Sequence, residues 1–126
     1  MNRNGLLAEL KGISRLSEKV QVFFPSTDGI DSASDAVKLS AVKDAVTSEL
    51  ARFFGGVTEF PAIGKWLSTE LGGKIVGENI AVLESYTDKN TLKNQLKSLL
   101  STVDYIKTQL HQESVAFSIN NELYFK

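Results

Sequence analysis

Two stretches of the chain place apolar residues every three or four positions, which is the spacing of one helical face. The first runs from Asp35 to Phe54 and is followed by the glycine pair 55–56, a common helix stop. The second follows a cap at Thr87 or Asp88 and keeps its apolar stripe down to His111. The spacing therefore predicts two long amphipathic helices.

The N-terminal residues 5–17 show the same spacing and predict a short amphipathic helix. Gly12 lies inside this stretch and costs about 1 kcal/mol relative to alanine. The apolar stripe needs another surface to cover it. We assign residues 1–18 to an N-terminal helix and residues 19–126 to the core of a single domain.

Alternating side chains, the period of a strand, appear first in VQVFF, residues 20–24, and this segment ends at Pro25. VTEF, residues 57–60, reads as a second strand that Pro61 breaks. IGKWL, the next apolar segment, is predicted to continue it after a bulge or kink.

Residues 74–86 are apolar on both faces near their centre, as in a central strand that is covered on each side. Residues 114–126 alternate again and are interrupted by Asn120 and Asn121. Asparagine tolerates the positive φ of a tight turn, so the chain is predicted to end in a β-hairpin.

In order, these elements give the split βαβ, or ferredoxin-like, α+β pattern: an antiparallel sheet with two helices on one face, an extra N-terminal helix and a C-terminal β-hairpin. The second face of the sheet would carry Phe23, Val76, Ile80 and Val82. Because these residues would form a large exposed apolar patch, we expect a homodimer or a higher homo-oligomer.

Charge and composition exclude several classes of function. The 126 residues include 14 basic and 15 acidic side chains, which gives no general attraction to nucleic acid polymers or to a membrane. No cysteine occurs, so disulfides and thiol nucleophiles are excluded. The N-terminal apolar residues are interrupted by Glu9, Lys11 and Arg15, unlike a signal peptide. We expect a cytoplasmic protein.

Catalytic signatures are absent from the sequence. His111 is the single histidine, and a metal site needs further strong ligands, so we expect neither a metal centre nor a cofactor. Glu78, in an otherwise apolar strand, either lies near the exposed strand end or faces a partner's cation or a ligand hydroxyl. Trp66 beside Lys65 is either a core tryptophan with a solvated lysine, or a stacking platform with a phosphate-binding cation.

Several segments, in this order, resemble the phage anti-Thoeris sponge family: VFFPST at 22–27, FFGGVT at 53–58 with GKW at 64–66, GKIVGE at 73–78 and LHQESVAFSINNELYF at 110–125. The resemblance extends from about Val20 to Phe125. It implies a non-enzymatic phage protein, acting in the infected bacterial cell, that sequesters a cyclic ADP-ribose isomer made by host TIR proteins without cleaving it. Thoeris immunity is thereby blocked, and some relatives also bind cyclic oligonucleotides.

Such a ligand offers an adenine to stack, ribose hydroxyls to bind and a pyrophosphate to neutralise. The candidate residues for these roles are Phe24, Trp66 and Tyr86 for stacking, Ser26, Thr27 and Asn79 for hydroxyls, and Lys65, Arg52, Lys93 and Lys97 for phosphates.

Two alternatives stay open. One is a small dimeric ferredoxin-like enzyme that acts on a small organic substrate, with Glu78 as acid or base. The other is a structural dimerisation module. Turnover of a small substrate would favour the enzyme, and failure to bind any small molecule would favour the module.

Overall fold

The computed structural model describes residues 3–26 and 36–126. Its elements, in chain order, are α1 (Arg3–Glu9), β1 (Glu18–Pro25), α2 (Ala36–Phe54), β2 (Thr58–Ser68), β3 (Lys74–Thr87), α3 (Lys89–Gln109), β4 (Ala116–Ile119) and β5 (Glu122–Phe125). The strands form one antiparallel sheet in the order β2-β3-β1-β4-β5. The predicted ferredoxin-like arrangement with a C-terminal hairpin is confirmed.

The core lies between one face of the sheet and the two long helices. Val22 of β1 is paired with Leu83 of β3, and both side chains are 0% exposed. Leu50 of α2 and Leu99 of α3 are among the buried helix residues that pack against them. Both long helices therefore cover the same face, called here the helix side, and the opposite face is called the open face.

Pro61 does not break β2, contrary to the sequence-based expectation. The strand runs without interruption from Thr58 to Ser68, with Pro61 paired to Ala81 of β3. Because β2 is the edge strand of the sheet, the missing N–H of the proline interrupts no ladder on its outer side.

Strands β2 and β3 extend beyond the end of β1. The pairing of β1 with β3 covers only Ile80 to Thr87, whereas β2 stays paired with β3 back to Lys74. Residues 63–79 thus form a two-stranded ribbon, called here the arm, which turns at Gly72 with φ of 72°. An isolated two-stranded hairpin is marginally stable in water, so the arm gains from any surface that packs against it.

Helix α1 is shorter than predicted. It ends at Glu9, and the following turn places Gly12 at φ 85°, a left-handed conformation that does not continue a helix. Leu6 and Leu10, from the predicted apolar stripe, are exposed. None of the helices in the described part of the chain combines the length and the hydropathy needed to span a membrane.

The start of α3 is fixed by Asp88, one of the two predicted caps. Its Oδ1 accepts a hydrogen bond from the backbone N–H of Thr91 at 2.8 Å. This bond stabilises the ionised carboxylate and lowers the pKa of Asp88. The predicted start of α2, Asp35, lies outside the described residues.

The C-terminal hairpin turns as predicted, with Asn120 at φ 53° and Asn121 at φ 69°. Asn120 also fastens the turn to β1, because its Oδ1 accepts from the Lys19 N–H at 2.8 Å and its own N–H donates to the Lys19 carbonyl oxygen at 2.8 Å. The hairpin is thereby held against the centre of the sheet.

Burial on the helix side of β3 predicts a sharp contrast between two substitutions. Leu83→Ala should lower the free energy of unfolding by about 2–5 kcal/mol, since it leaves a cavity at a fully buried position. Ile75→Ala, on the same strand face but 66% exposed, should change it by less than about 0.5 kcal/mol. Urea denaturation of both variants measures the difference, and equal losses would contradict the register of β3.

Candidate functional site

The open face of the sheet has an apolar half and a polar half. Phe23 and Ile80 lie in the apolar half, next to Val82, which is almost fully buried between its neighbours. In the other half, the Ser118 hydroxyl donates to Oε1 of Gln21 at 3.0 Å. Neither α2 nor α3 packs on this face, so its apolar half offers apolar surface that a ligand or a partner can bury.

A groove of about 630 Å³ lies on the apolar half, where β1 ends at Pro25. The arm forms one wall, and the β4–β5 hairpin with the segment before it forms the other. This open-face groove is lined by Phe23, Pro25, Gly64, Lys65, Trp66, Glu78, Ile80, Gln112, Ser114, Val115, Ala116, Leu123 and Phe125. Its volume falls within the usual range for small-molecule sites.

Trp66 and Glu78 share the arm wall of the groove. In the register, Gly64 lies opposite Glu78 and Trp66 lies opposite Val76, so Trp66 and Glu78 are diagonal neighbours on one face. Gly64 has no side chain to fill the space beside Glu78. The indole of Trp66 is 48% exposed, so the tryptophan is not a core residue. An aromatic surface and a carboxylate thus border the same groove.

Lys65 does not point to the same side as Trp66. Neighbouring residues of a strand face opposite ways, and Cγ of Lys65 lies 3.9 Å from the place where a Cβ on Gly77 would stand. Gly77 is the register partner of Lys65, so this side chain follows the helix side of the arm. Glu78 is therefore the charged side chain on the same strand face as the indole, whereas Lys65 borders the groove from the next strand position, and its predicted pairing with Trp66 stays a prediction.

The opposite wall comes from the C-terminal β4–β5 hairpin and the segment before it. Tyr124 stacks on Phe117 with ring centroids 5.5 Å apart on the helix side. That contact turns Leu123 and Phe125 to the open face, where both are largely exposed. The alternation of β5 in the sequence indicates that these two residues share a face, and the register shows that this is the face of Phe23.

A second cavity, of about 430 Å³, lies on the helix side near the same end of the sheet. This helix-side pocket contains three predicted residues, Phe24, Ser26 and Asn79. Phe24 is only 3% exposed, so its ring belongs mainly to the core. The pocket shares Pro25 and Ile80 with the open-face groove, and the two sites are neighbours on opposite faces of the sheet.

The remaining predicted site residues lie elsewhere. Arg52 and Lys97 line a groove between α2 and α3, where Arg52 forms an ion pair with Glu49 at 2.8 Å. Lys93 is exposed on α3, and Tyr86 is exposed near the far end of β3. Thr27 lies outside the described residues. The predicted residues are thus distributed over several surfaces, and their roles stay predictions.

His111 follows the end of α3 with φ of 50°. Within residues 3–26 and 36–126, no three His, Asp or Glu side chains are close enough to hold a metal ion.

No protein-family model matches the chain, and no curated protein matches its sequence. Similar solved structures exist. A phage SAM lyase in complex with S-methyl-5'-thioadenosine is 16% identical with a TM-score of 0.60, covering 90% of this chain and 94% of that chain. A phage SAM lyase in the apo state is 15% identical with a TM-score of 0.58 and the same coverage. The divalent cation tolerance protein CutA from Archaeoglobus fulgidus is 10% identical, covers 83% of this chain and 82% of its own, and has a TM-score of 0.48.

At these identities the likeness shows the fold. It contradicts the expectation that the chain is not an enzyme, because the lyase that shares this fold over most of its length is one. Both lyase structures are phage proteins, which supports the coarser expectation of a phage anti-defence protein. They carry no information on cyclic ADP-ribose.

Proposed function

We propose that the protein is an enzyme that cleaves S-adenosylmethionine in the open-face groove. The observation that carries the proposal is the groove itself: a mostly apolar surface on which Trp66 and Glu78 share one wall. The fold shared with a phage lyase bound to S-methyl-5'-thioadenosine supports it. Of the functions that the sequence left open, this one corresponds to the small ferredoxin-like enzyme.

The proposed reaction breaks the bond between the sulfonium sulfur and Cγ of the methionyl group. The bonding electrons return to sulfur, which leaves as S-methyl-5'-thioadenosine. The substrate's own carboxylate oxygen forms the new bond to Cγ and closes a lactone ring. Atoms and charges balance, because the sulfonium and the carboxylate neutralise each other and the ammonium keeps its charge.

An apolar groove suits this reaction because both reacting charges decrease in the transition state. Water stabilises the separated charges of the substrate more than it stabilises the transition state, so removing water from around them lowers the barrier. Phe23, Ile80 and Phe125 supply such surroundings. The enzyme then has to fold the methionyl chain so that the carboxylate meets Cγ, which is catalysis by orientation.

Trp66 and Glu78 have separate proposed roles. The exposed indole stacks the adenine ring. The Glu78 carboxylate binds the substrate ammonium, a charge-assisted hydrogen bond that persists through the reaction and orients the attacking carboxylate. Gly64 leaves room beside Glu78 for the methionyl group. Glu78 is therefore an orienting group in direct contact with substrate and not a proton carrier.

Destruction of S-adenosylmethionine would serve a phage against its host, because this molecule is the methyl donor of host DNA-modifying enzymes. Cyclic ADP-ribose contains the same adenosine unit that Trp66 is proposed to stack, so its binding to this groove also stays a prediction. Cyclic ADP-ribose differs from S-adenosylmethionine in that it has no sulfonium group.

A second copy of the chain is the proposed cover of the groove. The apolar half of the open face is too exposed, as a single chain, to keep water from a bound substrate. Burying Phe23, Ile80 and the open-face side of the arm against another copy would complete the enclosure and support the two-stranded arm.

The substitution Glu78→Gln should lower kcat/KM for S-adenosylmethionine by about 10- to 100-fold, the usual value of a hydrogen bond to a charged group. Glu84→Gln is the matched control, because Glu84 faces the same side of β3 in the polar half. Chromatographic measurement of S-methyl-5'-thioadenosine release gives both values. Intact substrate after prolonged incubation with wild-type protein would contradict the proposed activity.

The substitution Ile80→Lys should dissociate the proposed homo-oligomer, since it places a charge in the apolar half of the open face. Ile75→Lys, on the other face of the same strand, should leave the assembly intact. Sedimentation velocity measures the mass of each variant. A monomeric wild-type protein would rule out the cover by a second copy.

A further inference from the structure

The helix-side pocket has the features of a ligand site that is separate from the open-face groove. Its apolar floor comes from Phe24 and Ala81 of the sheet and Leu39 of α2. Its volume of about 430 Å³ is within the range of small-molecule sites and can hold a nucleoside. Such sites combine apolar surface with a few placed polar groups, and both are present here.

Two polar features border this floor from different elements. Asn79 of β3 is exposed on the helix side, and its amide offers one donor group and one acceptor next to each other. Across the pocket, Nζ of Lys43 on α2 lies 3.0 Å from Oε2 of Glu59 on β2. This ion pair holds the Glu59 carboxylate in place while Oε1 can still accept a hydrogen bond from a ligand hydroxyl.

We propose that the helix-side pocket is a second ligand site, which binds a purine nucleoside with an adenine-type base. The apolar floor contacts the ring, and the Asn79 amide pairs with the adjacent donor and acceptor of the base, the bidentate contact that asparagine makes with adenine. Glu59 accepts from a ribose hydroxyl. This site goes beyond the proposed lyase activity and does not require it.

The alternation of β3 keeps the two sites apart. Glu78 faces the open-face groove, and Asn79, the next residue, borders the helix-side pocket. Trp66 belongs to the groove alone. A nucleoside in the helix-side pocket therefore depends on Asn79 and not on Trp66.

Calorimetric titration with adenosine tests the site on four proteins: wild type, Asn79→Leu, Trp66→Ala and Asn94→Leu. The last is a size-matched control, because Asn94 is exposed on α3 and outside the pocket. We expect Asn79→Leu to weaken the affinity for adenosine at least tenfold at one site. Trp66→Ala and Asn94→Leu should leave that site unchanged. Thermal unfolding of each variant confirms that it folds.

N6,N6-dimethyladenosine makes the test independent of folding effects. It lacks the N6 donors, so it should bind wild type at least tenfold more weakly than adenosine, whereas Asn79→Leu should no longer distinguish the two. Absence of adenosine binding, or binding that Trp66→Ala removes and Asn79→Leu does not, would overturn the proposal. Both titrations measure nucleoside binding and do not depend on lyase activity. Failure of the second site and failure of the proposed function are therefore distinguishable.

Discussion

The register between β1 and β3 decides which side chains of the two central strands face the helices and which face the open side of the sheet. It pairs Val22 with Leu83 towards the helices and Phe23 with Val82 towards the open face. A slip by one residue would exchange the two faces along the whole strand. Alternation continues along β3 beyond this pairing and directs Glu78 and Asn79, which pair with β2, to opposite sides.

The different lengths of the strands turn this sheet into a binding surface. Because β1 ends at Pro25 while β2 and β3 continue as the arm, the sheet has a step at its centre, and each side of that step carries a cavity. On the open face the cavity is apolar, with one aromatic platform and one carboxylate. Those are the surroundings in which a reaction that neutralises two charges is accelerated, and a polar sheet face would not provide them.

Sequence reasoning predicted the order of elements and the two-sided apolar character of β3, because both depend on local periodicity. It also predicted the Asn120–Asn121 turn. It was wrong about Pro61, since the edge position that makes a proline harmless is a property of the sheet. The structure distributes the predicted ligand residues over several surfaces, because alternation turns Lys65 away from Trp66 and only the register brings Trp66 beside Glu78. The non-enzymatic assignment came from a resemblance in short segments, which carries no information on such a pairing.

The open-face groove is proposed to bind its ligands beside Trp66, which is the single tryptophan of the chain. The most direct measurement is the intrinsic fluorescence of the wild-type protein during titration with S-methyl-5'-thioadenosine, alongside equilibrium dialysis of the same samples. Binding beside Trp66 should give a saturable change in its emission, with a Kd that matches one of the sites in the dialysis isotherm. Binding by dialysis with unchanged emission, or no binding at all, would contradict the proposed binding beside Trp66.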